Sequence, residues 1–356
     1  MGRLGYFHRV AALTPTRMWI NNATVEQARL AIAAGAVGCT NNPAYAWKMI
    51  ESDPENTVPV LDRLLAQSGD DSEVLVLLQK ALADRIASEF LPIFERSRGK
   101  LGYVTVQGDP FRETRGAILR QARLNRAGAP NIMAKIPVIP EGLAAIEILA
   151  GEGVPLCCTE VMAVRQAADA AGAFALGAAG RERPAACVIA HIAGIYDEYL
   201  QSRAQKEGAA VEPDILWQAG VAVAKKVHAL IHERGWAVGF LSGGARGLHH
   251  FTELVGSEGA VTINWAGCAD ALLRQDPPVI CQFARPTPMF VLDELARRIP
   301  DFRRGYELGG IEPAEYESFG PVVLFRGMFE QAWQKALKFI GERRRAGSGC
   351  GRGDFP

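Results

Sequence analysis

Short runs of apolar, β-prone residues alternate with longer helical stretches through most of this chain, which narrows the possible folds. The runs predict eight strands, over residues 17–22, 36–42, 102–107, 131–137, 153–159, 186–192, 236–242 and 260–265. Parallel strands joined by crossover helices produce such a pattern. Eight strand–helix units in about 260 residues favour an α/β fold of the (β/α)8 barrel type. An open doubly wound sheet is the alternative, but its glycine-rich first turn is absent from "INNATV".

The segments outside these units read as helices. Residues 43–100 predict several helices, and the pattern after residue 265 is helical to "FEQAWQKALKFIGERRR". We expect that last helix to pack on the outside of the barrel or across its mouth. The prediction is one domain over residues 1–345 and a disordered tail over 346–356.

The charge balance argues for a small-molecule partner. Lysine plus arginine and aspartate plus glutamate number 39 each, so the formal charge is zero and nothing electrostatic favours nucleic acid or a membrane surface. No long apolar span predicts a signal peptide or a membrane helix, and we expect a cytoplasmic protein. Barrels of this size occur as monomers and as homo-oligomers, so the oligomeric state stays open.

The seven cysteines and the six histidines do not form a recognisable metal motif. The cysteines include no C-x-x-C pair and lie in mostly apolar surroundings, as reduced core thiols do. His249 and His250 are adjacent and would point in different directions on a helix. We predict no metal and no cofactor.

Lys135 stands out because it lies in the apolar run "NIMAKIPVIPEG". An isolated ammonium in such surroundings costs free energy or loses its proton, and a neutral amine is a nucleophile that forms a Schiff base with a ketone. Alternatively, the side chain could lie on the outer face of the strand and reach solvent. Asn42, Gln107 and Thr159 also end successive predicted strands, where a barrel has its active site. Four such polar positions predict a site.

Three stretches resemble the transaldolase family, including its fructose-6-phosphate aldolase branch. They are "GAVGCTNNPA", "AKIPVIPEGLAAIEILAGEGVPLCCTEVMAVRQAADAAGA" and "FLSGGARGLHHFTELVGSEGAVTIN". The resemblance covers residues 18 to 265 and is most specific at K-I-P-x-x-x-E-G-L-x-A-I-x-x-L. It implies a (β/α)8 barrel, a sugar or sugar-phosphate substrate and a reaction without metal.

The resemblance also implies roles for the strand-end residues. Lys135 would be the Schiff-base lysine that attacks the ketose carbonyl, and Thr159 would position the catalytic water. Gln107 would share that water, as in the aldolase branch. Asn42 would contact the donor hydroxyls. The implied reaction transfers a dihydroxyacetone unit from a ketose donor to an aldehyde acceptor.

Two parts of the pattern are altered. Asn21 stands where the family has an acid–base aspartate at the end of the first strand, and an amide cannot take a proton at neutral pH. In "AHIAGI", Ile195 replaces the phosphate-binding arginine, Ala190 a serine and Ile192 an aromatic residue. Gly244 replaces a second serine, whereas Arg246 keeps the place of a phosphate-binding arginine.

These changes leave three hypotheses. The first is a Schiff-base enzyme with altered phosphate recognition, and it includes an aldolase of unphosphorylated sugars. In this hypothesis His191 is either a new polar group of the pocket or a buried histidine whose hydrogen bonds are satisfied. The second is a catalytically weak barrel that binds a sugar or a protein partner. The third is ordinary transaldolase activity in which other cations, such as Arg181 or Arg183, bind the phosphate.

Overall fold

The computed structural model describes residues 4–349 and shows a closed barrel of eight parallel strands in chain order. The strands are β1 (Thr16–Asn21), β2 (Cys39–Thr40), β3 (Val104–Gln107), β4 (Ile132–Pro137), β5 (Leu156–Val161), β6 (Cys187–His191), β7 (Gly239–Ser242) and β8 (Gly259–Ile263). β8 pairs with β1 and closes the barrel. The predicted (β/α)8 architecture is confirmed. Strand β2 is shorter than predicted, with two ladder residues where the sequence suggested seven.

Helices surround the barrel and extend beyond it. Up to β4 they are α1 (Tyr6–Leu13), α2 (Val25–Ala34), α3 (Tyr45–Ser52), α4 (Pro54–Leu65), α5 (Asp71–Arg96) and α6 (Arg115–Arg126). Those between β4 and β8 are α7 (Pro140–Gly151), α8 (Val164–Gly177), α9 (Ala193–Glu207), α10 (Pro213–Leu216), α11 (Ala219–Glu233) and α12 (His249–Thr252). Those after β8 are α13 (Asp270–Gln275), α14 (Met289–Arg298), α15 (Pro300–Tyr306) and α16 (Gly320–Gly349), with a π-helical turn at Trp265–Ala269 and a 3-10 helix at Pro313–Ser318.

Local signals in the sequence set the ends of helix α2. The Thr24 side chain accepts a hydrogen bond from the Gln27 amide, and the Gln27 side chain accepts one from the Thr24 amide. Gly35 ends the helix in the left-handed conformation, with φ of 109°. These contacts form a capping box at the start of the helix and a glycine C-cap at its end.

Helix α7 packs tightly against the end of β4, the strand that carries Lys135. A Cβ atom at Gly142 would lie 1.8 Å from the carbonyl oxygen of Pro137, so only glycine allows this approach. The glycine of the "PEGL" run therefore fixes the turn that follows the candidate lysine.

The final helix crosses the barrel mouth, one of the two positions expected for it. Phe325 and Phe329 line a cavity at the carboxyl ends of the strands, and Trp333 is buried further along α16. The helix continues to Gly349 and so includes the first four residues of the predicted tail; residues 350–356 lie outside the described residues. Within residues 4–349, no helix has the length and hydropathy to cross a bilayer.

Candidate active site

A cavity of about 160 Å3 opens at the carboxyl ends of the strands. One wall is polar and comes from β1, β2, β4 and β8, whereas the wall from the β6–α9 junction, β7 and helix α16 is apolar except for Arg246, which follows β7. The polar residues include Asn21, Thr40, Asn42, Lys135 and Thr262, and the apolar ones Ile192, Ile195, Leu241, Phe325, Met328 and Phe329. The cavity thus suits a ligand with a polar end and an apolar end.

Lys135 lies inside the barrel, and its predicted alternative position on the outer face does not occur. The residue is 6% exposed, and its side chain lines the cavity. Burial lowers the pKa of the Lys135 amine, and the electrostatic interactions with Cys157, Glu160 and Cys39 act in the opposite direction. A larger neutral fraction at physiological pH follows, which is the state a nucleophilic amine needs.

Gln107 and Thr159 lie on the strands that flank Lys135. In the ladders Gln107 pairs with Lys135, and Thr159 pairs with Pro137. Neither residue lines the main cavity, but Gln107, Glu113 and Lys135 together line a second cavity of about 20 Å3. The structure therefore brings Gln107 next to the lysine, with Thr159 one strand further along the barrel.

Glu160 is a buried carboxyl group beside this lysine that the sequence analysis missed. It follows Thr159 on β5, and its Oε1 accepts a hydrogen bond of 2.8 Å from Gln107 Nε2. Burial raises the pKa of Glu160, while the Arg326 charge and the Gln107 hydrogen bond act in the opposite direction. An acid in the buried run "LCCTEV" could have been noticed by the reasoning applied to Lys135.

Arg326 lies on helix α16, which crosses the barrel mouth, and its charge acts on Glu160. It forms an ion pair with Glu113, whose side chain is 7% exposed, and a second one, at 3.4 Å, with exposed Glu317. Burial and the neighbouring Glu160 charge raise the pKa of Glu113 to about 8, despite the attraction of Arg326. One arginine therefore faces two buried carboxyl groups.

Asn21 is held by its neighbours on both sides of its amide. Its Oδ1 accepts a 3.0 Å hydrogen bond from the Thr40 hydroxyl, and its Nδ2 donates one of 3.0 Å to Asn264 Oδ1. The Thr40 and Thr262 hydroxyl oxygens are 2.7 Å apart. These contacts give the β1 end of the cavity a neutral hydrogen-bonding surface in place of a carboxylate.

Asn42 also lines the cavity, and the turn after β2 fixes its side chain. Its Oδ1 accepts hydrogen bonds of 3.0 Å from Asn22 Nδ2 and from the Ala44 amide. Because the oxygen is engaged, the Nδ2 group is the part of Asn42 available to a ligand hydroxyl.

The altered residues at the predicted phosphate end pack against one another. Ile192 and Ile195 are both buried, and Gly244 adopts φ of 70° beside them. A Cβ atom at Gly244 would lie 2.5 Å from Ile192 Cγ2 and 3.0 Å from Ile195 Cγ1. The isoleucines therefore occupy space that a serine at position 244 would need.

Arg246, the remaining cation at this end, already has partners. Its Nε forms an ion pair with Glu198 of α9, and its Nη1 donates to the Gly244 carbonyl at 3.3 Å. A phosphate would have to compete with the Glu198 carboxylate for this guanidinium. Arg181 and Arg183 precede β6 and so lie at the opposite end of the barrel, which removes the basis for the third hypothesis.

The structure does not bring His191 to the cavity. The ring points out of the barrel, and its two nitrogens lie 2.9 Å from the Val161 carbonyl and 3.1 Å from the Gly220 carbonyl. Burial lowers the pKa of His191 to about 4, against the effect of the two carbonyl groups. The residue next to it on β6, Ala190, faces the cavity instead. A substrate-binding role does not fit this position.

Asp197, His249 and His250 form a separate cluster whose ligand atoms lie within 4.8 Å of one another. His250 Nδ1 lies within hydrogen-bonding distance of the Arg246 and Gly247 amides, which favours the tautomer in which Nε2 donates to Asp197 at 2.9 Å. This arrangement uses the Nε2 atom that a metal would need. The pair supports the backbone of the loop that carries Arg246.

Comparison with known proteins adds the family. Residues 18–277 match the family model described as transaldolase/fructose-6-phosphate aldolase, which is well over half of the chain. The chain belongs to this family. The matched region contains all eight strands apart from the first two residues of β1.

Individual relatives are distant. The transaldolase of Thiobacillus denitrificans is 27% identical over 170 residues, covering 45% of this chain and 47% of that protein. The transaldolase of Neisseria gonorrhoeae is 27% identical over 224 residues, covering 60% and 62%. That of Trichodesmium erythraeum is 28% identical over 150 residues, covering 41% and 39%. The chain spans about half the length of the curated relatives it matches.

Proposed function

We propose that this chain transfers a dihydroxyacetone unit from a ketose donor to an aldehyde acceptor through a Schiff base on Lys135. The observation that carries the proposal is the position of the Lys135 amine: buried, with a lowered pKa, and lining the cavity at the barrel mouth. Family membership supports the same chemistry. In a barrel of this type, groups at the carboxyl ends of the strands perform the reaction.

The proposed reaction begins when Lys135 Nζ attacks the ketose carbonyl and water leaves. The resulting iminium accepts the electron pair of the C3–C4 bond as that bond breaks, and the C4 hydroxyl gives its proton to water because the Asn21 amide cannot accept it. This leaves an enamine and releases an aldehyde. The enamine then adds to the carbonyl of the acceptor, and water hydrolyses the imine. Asn42 Nδ2 and the Thr40 hydroxyl are suitably placed to bind the donor hydroxyls.

We further propose that the preferred substrates carry no phosphate. A phosphate dianion needs several charge-assisted donors, worth about 1.5–3 kcal/mol each. Here Ile195 and Gly244 offer no side-chain donor, and Glu198 engages Arg246. The apolar wall of Ile192 and Phe329 suits an uncharged end of the substrate. We also propose that the reaction belongs to cytoplasmic carbohydrate metabolism and is of the type found in the pentose phosphate pathway.

Reductive trapping tests the proposal. Borohydride added with dihydroxyacetone or fructose is expected to leave a stable adduct on Lys135, located by peptide mass spectrometry. Lys135→Met should abolish the adduct because the nucleophile is lost. Lys48→Met is the matched control, since Lys48 is a second partly buried lysine with a lowered pKa whose Nζ donates to the Asn22 carbonyl at 2.6 Å.

The donor comparison tests the phosphate part. Fructose 6-phosphate is expected to give no more turnover than free fructose at equal concentration. The absence of any adduct on Lys135 with both donors would contradict the enzyme assignment. It would favour the second candidate, a sugar-binding barrel, which the replacement of an acid by Asn21 supports.

A further inference from the structure

The backbone of Glu160 is strained at an irregularity of strand β5. Glu160 has φ of 61° within strand β5, next to an irregularity in its pairing with β6 between Cys158 and Val161. A non-glycine residue in this region costs roughly 1–3 kcal/mol and is often kept at functional sites. The conformation places a carboxyl group, and not an apolar side chain, against Gln107.

Three oxygen atoms in this region are buried and lack a hydrogen-bond partner among the described residues. They belong to the side chains of Gln107, Thr159 and Glu160: Oε1, Oγ1 and Oε2 respectively. Buried polar atoms are nearly always paired, and a bound water is the usual partner when the protein offers none. Gln107 and Lys135 also line a cavity of about 20 Å3, which exceeds the roughly 10–15 Å3 that one water requires, although Thr159 and Glu160 do not line it.

We propose that Glu160 is the acid–base group for Schiff-base formation and hydrolysis at Lys135, acting through a water held by Gln107 and Thr159. The inference rests on the proposed function and adds to it a group at a strand position where the family resemblance implied none. The proposal also explains why residue 107 is an amide: the carboxyl group that carries the proton belongs to Glu160 on β5 and not to a residue on β3.

Attack of Lys135 Nζ on the ketone forms the C–N bond, and transfer of one amine proton to the oxygen gives a neutral carbinolamine. Protonated Glu160 then donates its proton through the bound water to the carbinolamine hydroxyl. The C–O bond breaks, water leaves, and the nitrogen lone pair forms the C=N bond. The products are an iminium cation and the Glu160 carboxylate, which later accepts a proton from the water that hydrolyses the imine.

The experiment compares the rate of adduct formation with dihydroxyacetone and borohydride in wild type, Glu160→Gln and the swap Gln107→Glu/Glu160→Gln. General acid–base catalysis contributes about 10²–10⁴-fold, so Glu160→Gln should slow adduct formation by that factor. The swap retains one acid and one amide in the buried pair and should recover at least tenfold of the loss. Glu317→Gln removes an exposed carboxylate that pairs with Arg326 and should leave the rate unchanged.

The pH profile separates this role from a structural one. Wild type should show a bell-shaped profile, rising as Lys135 loses its proton and falling as Glu160 loses its own. Glu160→Gln should lose the falling limb. A wild-type rate and profile in Glu160→Gln, or a swap as slow as Glu160→Gln, would overturn the inference while Lys135 still forms its adduct. If Glu160→Gln does not fold, the swap alone decides: a rate within about tenfold of wild type supports the inference and a loss of about 100-fold or more overturns it.

Discussion

At the scale of single residues, the altered phosphate end consists of changes that depend on one another. Gly244 holds a positive φ, and the space beside it is filled by Ile192 and Ile195. An arginine at 195 and a serine at 244 could not be restored singly, because the isoleucine packing and the glycine turn exclude the serine. The loss of phosphate-binding groups therefore involves Ile192, Ile195 and Gly244 together and not one position alone.

Replacing Gly244 by alanine tests this coupling. Gly244→Ala combines an unfavourable φ with a collision at Ile192 Cγ2 and should destabilise the fold by roughly 2–4 kcal/mol. Gly208→Ala is the control, since Gly208 has a similar φ of 64° but no atom within 4 Å of its Cβ position. It should cost about 1 kcal/mol, the strain alone. Urea denaturation measures both, and equal losses would refute the packing argument.

Individual site residues were predicted unevenly from the sequence. Lys135 and Asn42 stood out because polar groups ended apolar strands, and both line the cavity. Of the two alternatives for His191, the structure shows the buried, hydrogen-bonded histidine, because alternate residues of a strand face opposite sides and Ala190 takes the inward place. Glu160 was missed because a residue in a left-handed conformation does not follow that alternation.

At the scale of elements, helix α9 and the loop after β7 decide what Arg246 can bind. The guanidinium lies between Glu198 of α9 and Met328 of α16, with Nη2 3.8 Å from the sulfur. Asp197 and His250 hold the same two elements together from the buried side. The sequence placed Arg246 at the correct strand end but could not show that α9 brings a carboxylate to it.

Removing that carboxylate should make phosphate a better ligand. Glu198→Gln releases the Arg246 guanidinium, and one charge-assisted contact to phosphate is worth about 1.5–3 kcal/mol, or roughly 10–100-fold in affinity. Inhibition of adduct formation by inorganic phosphate measures the effect. Glu207→Gln is the control because it removes an exposed carboxylate of the same helix that faces Arg203. Equal inhibition of Glu198→Gln and wild type would show that Arg246 does not bind phosphate in this cavity.

At the scale of the whole molecule, the alternation of strands and helices was sufficient to predict the barrel. Each predicted strand coincides with an observed one, because buried parallel strands require continuous apolar runs. The role of helix α16 was less accessible. Its apolar spacing predicted a packed helix, but the burial of Glu113 beneath Arg326 depends on contacts 213 residues apart in the chain. Such long-range pairs leave no local pattern.

The pair of Glu113 and Arg326 makes the stability of the molecule depend on pH in a predictable direction. The pKa of Glu113 is about 8 in the folded chain and 4.5 for an ordinary glutamate, so the unfolded state loses its proton first as the pH rises. The folded state then binds more protons than the unfolded one, and the free energy of unfolding falls between about pH 4.5 and pH 8. Glu113→Gln stays neutral throughout and should lose much of this fall, of the order of a few kcal/mol. Glu317→Gln, at an exposed site on the same arginine, should keep it. Urea midpoints from pH 5 to pH 9 measure the three slopes, and parallel curves for wild type and Glu113→Gln would mean that Glu113 is ionised beneath the helix.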